Sequence, residues 1–175
     1  VFTGMGRPST SAMFNDFGVK FKLLKNFDSL PATGIIVIGA NSFDSSLLKN
    51  GDKLRNFMEN GGRLIVFEQQ YSGRAWFATE LEYCNARYGQ FSEIVRSAHP
   101  SVTGMKQNEF LCWDQKDWSI YHYHIRPLAE TTILTGGDST TWGSDNFGMV
   151  LSEGKIGKGS LVICQAEITR MYKTD

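Results

Sequence analysis

The sequence predicts an α/β domain: a three-layer α/β/α sandwich on a mostly parallel sheet. Three observations predict it. Residues 34–39 form a continuous β-branched run between two glycines, the pattern of a strand covered on both faces. Residues 63–67 form a second apolar run, entered through Gly61-Gly62 and ending abruptly at Glu68, Gln69 and Gln70. Between the two, Leu47, Leu48, Leu54, Phe57 and Met58 mark the buried stripe of a helix. Strand, helix and strand in that order make a βαβ unit, whose crossover leaves its two strands parallel.

The other elements follow in chain order. Residues 1–3 read as the end of a strand, and residues 4–10 as a turn in which Ser9 or Thr10 caps a short helix running to Phe17. Gly18 ends that helix, and residues 19–23 alternate apolar and polar side chains like a strand. Residues 71–90 are aromatic and read as a loop with a short helix, and residues 97–104 as a turn-rich joint. Residues 108–126 gather Phe110, Trp113, Trp118, Tyr121 and Tyr123 around His122 and His124. Residues 131–135 and 148–151 read as strands, residues 153–159 as a glycine turn, and residues 160–166 as a last buried strand.

At 175 residues the chain reads as one domain over residues 1–175. It opens on Val1 in a strand-like segment with no signal-peptide pattern, and so reads as a piece of a longer polypeptide. Eighteen basic and eighteen acidic side chains cancel, which removes the electrostatic case for nucleic acid or an anionic membrane surface. No apolar run approaches the roughly 20 residues of a membrane-spanning helix.

Cys84, Cys112 and Cys164 lack CxxC spacing and read as structural thiols, with neither a zinc site nor a disulfide framework. His122 and His124, two apart, would share one face of a strand and could ligate a metal with His99, Asp114 or Asp117. Nothing in the sequence fixes that third ligand, and surface or aromatic-packed histidines are the plainer reading. Gly4-Met5-Gly6-Arg7 is an incomplete phosphate loop, because Ser9 stands where the third glycine belongs. No cofactor or metal is therefore assigned.

Four segments carry a family resemblance: residues 34–42, residues 54–67, the joint His99-Pro100-Ser101-Val102-Thr103-Gly104 with Trp113 downstream, and residues 154–165. Together they resemble the class I glutamine amidotransferase-like domain found as an accessory module in multidomain glycoside hydrolases of the family 2, β-galactosidase type. The resemblance implies a flavodoxin-like or amidotransferase-like fold that packs against a catalytic barrel or helps the enzyme oligomerise. It also implies a periplasmic or secreted setting, to which the cysteines add no support.

Aligned on that family, Glu68 falls where an amidotransferase holds its cysteine nucleophile within Gly-x-Cys-x-Gly. The chain has Phe67-Glu68-Gln69 there and no downstream His-x-Glu pair to complete a triad. No catalytic residue is assigned. An enzyme reading would use Glu68 as general base, aided by His99 or His122; the plainer reading has Glu68 bonding the amides of the following turn. Trp113, Trp118, Tyr121, Tyr123 and Trp142 are candidates for a sugar-stacking platform or for packing against another domain. The expected function is a non-catalytic accessory module of a carbohydrate-active enzyme. Its expected partners are neighbouring domains of the same polypeptide, with a second copy and carbohydrate as further candidates. The rivals are a small hydrolase or transferase using Glu68 and a free-standing carbohydrate-binding module.

Overall fold

The computed structural model describes residues 10–28, 30–71, 73–77, 79–85, 89, 91–111, 120–126, 131–138 and 147–172. In chain order these form α1 (Thr10–Asp16), β1 (Ile35–Ile38), α2 (Ser45–Lys49), α3 (Gly51–Glu59), β2 (Arg63–Val66), β3 (Gly73–Phe77), β4 (Thr79–Asn85), β5 (Glu93–Ile94), a 3-10 turn (Gln107–Phe110), β6 (Tyr123–Ile125), β7 (Thr131–Asp138), β8 (Phe147–Ile156), β9 (Gly159–Cys164) and α4 (Ile168–Met171).

The βαβ unit stands where the sequence places it. Ile35–Ile38 pairs in parallel with Arg63–Val66, residue for residue, and the same stretch of β2 pairs in parallel with Ser160–Ile163 of β9. The crossover is two helices rather than one. Asp44 caps α2 by accepting from the Leu47 amide at 2.7 Å, and the chain breaks at Asn50 before α3 begins at Gly51. Leu47, Leu54, Phe57 and Met58 bury against Ile36, Ile38, Leu64, Val66, Leu161 and Ile163 in the larger of two core clusters.

Beyond these three strands the architecture departs from the expected three-layer sandwich. The sheet has nine strands in the order β1-β2-β9-β8-β6-β4-β3, with β7 also on β8 and β5 on β7. Every pairing other than β1–β2 and β2–β9 is antiparallel. It is a mixed, strongly curled half-barrel with few helices. Antiparallel strands need only tight turns, so the second half of the chain builds sheet without crossover helices. Residues 71–90, expected as a loop and short helix, supply the β3–β4 hairpin, and residues 19–23 form no strand. Residues 1–9, expected as a strand end and most of a turn, lie outside the described residues.

The curl has a visible source in β8, the longest strand. It pairs with β7 along one edge, and along the other it pairs first, at Met149, with β6 and then, from Leu151 to Ile156, with β9. The β7–β8 register skips Leu134 on one strand and Val150 on the other. Each skip is a bulge, which bends a strand and sharpens its twist. The Val150 bulge also switches faces along β8: Met149 and Ile156 join the larger core, whereas Val150 joins Cys164, Ala166, Phe110, Ile120 and Tyr121 in the second.

The glycine turn lies slightly later than the pattern suggests. Strand β8 runs to Ile156, which pairs with Gly159, so Gly157-Lys158 is a two-residue hairpin loop. Gly157 sits at φ 58°, and a Cβ there would lie 2.6 Å from the Glu59 Cα. A Cβ on Gly159 would lie 2.0 Å from the Gly62 carbonyl oxygen. The hairpin is thus pressed against the end of α3, where Lys158 N–H donates to Glu59 C=O at 3.1 Å.

Candidate functional site

Three parallel strands end together at one edge of the sheet, and the side chains just beyond them form a connected polar cluster. β1 leads into Gly39, Ala40 and Asn41, β2 into Phe67, Glu68 and Gln69, and β9 into Gln165, Ala166 and Glu167. Carboxyl edges of parallel strands are where α/β proteins place ligands, so the contents of this edge decide the functional reading.

Glu68 is 5% exposed. One carboxyl oxygen accepts from the Thr169 hydroxyl of α4, and the other has no hydrogen-bond partner among the described residues. Burial raises its pKa from 4.5 to about 7, against the opposing pull of the Thr169 bond, and the nearby Glu167 charge raises it further. Glu167, also buried, accepts from His122 Nδ1 and from Arg170 Nη1 at 2.6 Å. The two carboxyls therefore divide their roles. Glu167 is held by two basic side chains, while Glu68 is poised to keep its proton. Cys164, packed beneath them, has its thiol pushed up to about 12, first by burial and then by the Glu68 charge.

Gln69 occupies the centre of the edge. Its Oε1 accepts from the amides of Ser42 (2.8 Å) and Phe43 (3.0 Å), and its Nε2 donates to the carbonyls of Gly39 and Phe67, both at 2.8 Å. Gln165 bonds the Gln69 backbone in turn and also donates to the Tyr123 carbonyl at 3.3 Å. On the far side, Thr10 at the start of α1 accepts from the Ala40 amide at 2.9 Å. The backbone groups that would face a ligand are bonded by the chain's own side chains.

The other sequence candidates are scattered. His99 is at the opposite end of β2 from Glu68, donating from Nε2 to Glu153 at 2.9 Å, so the two share no site. His122 and His124 do not act as a pair: His122 precedes β6 and bonds Glu167, whereas His124 lies in β6, buried, with its ring against Gly148. Tyr121 is fully buried and offers no face to a sugar, and half-buried Tyr123 packs against the larger core. Trp113, Trp118 and Trp142 lie outside the described residues, as do Cys112, Asp114 and Asp117. Among the described residues, no three His, Cys, Asp or Glu side chains are grouped to hold a metal.

Sequence reasoning missed Gln69, Gln165, Glu167, Thr169 and Arg170. Their one signal is position: polar residues directly after a buried strand, at Gln69 and again at Gln165 to Arg170, mark a strand's end at the carboxyl edge.

No protein-family model matches the chain, and no curated protein matches it. Among solved structures it is similar to the cytoplasmic protein STM3548 from Salmonella typhimurium, with a TM-score of 0.52 and 12% identity, covering 89% of this chain and 73% of that one. At that identity the likeness is one of fold.

Proposed function

We propose that the chain is a non-catalytic accessory module of a carbohydrate-active enzyme, a glycoside hydrolase in which it packs against neighbouring domains of the same polypeptide. One observation carries the non-catalytic half of this reading: the carboxyl of Glu68, at the position a nucleophile would hold, is buried and bonded by Thr169. The glycoside hydrolase half rests on the four resembling segments, residues 34–42, 54–67, 99–104 and 154–165. Phe91 and Leu111 support a packing role. They face each other in an antiparallel bridge yet are 43% and 44% exposed, and Leu111 leads into the aromatic stretch around Trp113.

The test is the natural polypeptide. The reading expects its reading frame to encode a glycoside hydrolase catalytic domain beside this segment, and expects the purified segment alone to release no product from aryl glycosides. A frame with no such domain overturns the glycoside hydrolase assignment. Turnover by the segment alone, abolished by Glu68→Gln, overturns the non-catalytic one. That second outcome belongs to the rival reading, a small hydrolase using Glu68, which one observation favours: a carboxyl with a pKa of about 7 is in the range of a general base.

A further inference from the structure

The opposite end of the same strands holds a cavity of about 630 Å³, lined by Arg63, His99, Glu153, Lys155, Lys158 and Ser160 among others. Strand register explains why these residues meet. Arg63 of β2 pairs with Ser160 of β9, and Ser160 pairs with Lys155 of β8. Residues directly opposed across a sheet point to the same face, so the three form one row. Glu153, two residues before Lys155, points the same way and is opposed by Thr132 of β7. The Gly157-Lys158 hairpin brings Lys158 to the rim beside Gly61, 3.9 Å from where a Gly61 Cβ would stand.

The charges in this cavity are unequal. Three cationic side chains face one carboxylate, and that carboxylate is already engaged on both oxygens, by Arg63 Nη2 at 2.7 Å and by His99 Nε2 at 2.9 Å. His99 in turn accepts the Ser101 amide on Nδ1 at 3.2 Å, so both its ring nitrogens are committed and it acts as a positioning residue for Glu153. Arg63 stays accessible despite that bond: its side chain is 43% exposed, although its Nε is buried and without a partner among the described residues. Neither Lys155 nor Lys158 has a carboxylate partner among them. Glu153 fixes the guanidinium in place, and the lysines and the Ser160 hydroxyl leave a cationic, donor-rich wall that no further carboxylate of the described residues neutralises. A guanidinium fork beside lysine point charges is the recognition chemistry of oxyanions.

We propose that this cavity is a binding site for the oxyanion group of a small acidic ligand, with Arg63, Lys155 and Lys158 as its binding groups. It is separate from the Glu68 edge and does not depend on the module's role there. The same chemistry serves a free inorganic oxyanion and the carboxylate of an acidic sugar.

The test is an amide NMR titration of the purified chain at low ionic strength, with inorganic phosphate, glucuronate and glucose added in separate series. Phosphate and glucuronate are expected to shift the amides of Gly61, Gly62, Gly159 and Ser160 saturably, with dissociation constants of roughly 1–10 mM, and glucose is expected not to. Tighter binding of glucuronate than of phosphate identifies an acidic sugar as the occupant, and the reverse a free oxyanion. The double substitution Lys155→Gln/Lys158→Gln, at exposed side chains that make no structural bond, is expected to weaken binding about fivefold or more while leaving the spectrum folded. No saturable shift by about 50 mM of either anion, or equal affinity in the double variant, overturns the proposal.

Discussion

Gln165 bonds both backbone groups of Gln69: its Oε1 accepts the Gln69 N–H at 3.1 Å and its Nε2 donates to the Gln69 carbonyl at 3.2 Å. A side-chain amide here takes the place of a ladder partner, tying the β2 and β9 chains together three residues beyond the end of β2. Gln69 can then turn its own side chain across to β1 and the loop after it. The two glutamines act as a clasp on the carboxyl edge, and an amide is the group that suits the task, since it presents donor and acceptor together.

Glu68 makes folding stability depend on pH in a stated direction. Its carboxyl has an ordinary value of 4.5 unfolded and about 7 folded, so the folded state holds the proton more tightly. Its contribution is complete below about pH 4.5 and is lost as pH rises through about 7, a difference of roughly 3 kcal/mol. Glu68→Gln keeps an acceptor for Thr169 and cannot ionise. Urea unfolding at a series of pH values is expected to show the variant gaining on the wild type between about pH 5 and 8, toward that limit. Parallel curves would show that Glu68 is solvated and ionised in the folded state.

Cys164 is expected to resist alkylation. A buried thiol with its pKa pushed up to about 12 has almost no thiolate at pH 8. Iodoacetamide treatment of the folded protein, read by peptide mass spectrometry, should leave Cys164 unmodified, and unfolding in urea should expose it. Rapid labelling of Cys164 in the native protein would place it at an open site rather than beneath one.

Gly157→Ala is expected to destabilise the protein by about 2 kcal/mol or more, since alanine disfavours the left-handed backbone and its Cβ would press into the backbone of Glu59. Lys158→Ala, in the same turn, should cost less than about 0.5 kcal/mol. Equal midpoints for the two variants in thermal or urea unfolding would mean that the hairpin does not rest on the end of α3.

The parts of the fold legible in the sequence are those governed by local pattern. The apolar runs at Ile35–Ile38 and Arg63–Val66 report buried strands and stand where they were read, whereas the glycines around Lys158 report a tight turn that is shorter and later than the 153–159 expected. The second half of the chain was not legible, because antiparallel strands such as β3 and β4 have mixed side chains and take their order from pairing partners far away in sequence. The bulges at Leu134 and Val150 fall on branched apolar residues that themselves give no turn signal, with the nearest glycines two residues away at Gly136 and Gly148. At the candidate site, Glu68 was legible from the strand it follows. Its partner Thr169 lies 101 residues away, in a four-residue helix with no amphipathic signal.

The chain's own side chains close the carboxyl edge, with Gln69 at its centre. The most direct measurement is the unfolding free energy of Gln69→Ala. That substitution strips partners from the buried or half-buried amides of Ser42 and Phe43 and from the carbonyls of Gly39 and Phe67, and is expected to cost about 3 kcal/mol or more. Residues kept for binding or catalysis commonly show the reverse, because their removal relieves strain. A Gln69→Ala protein as stable as the wild type, or more stable, would show that Gln69 does not close the edge and would return it to the candidates for chemistry.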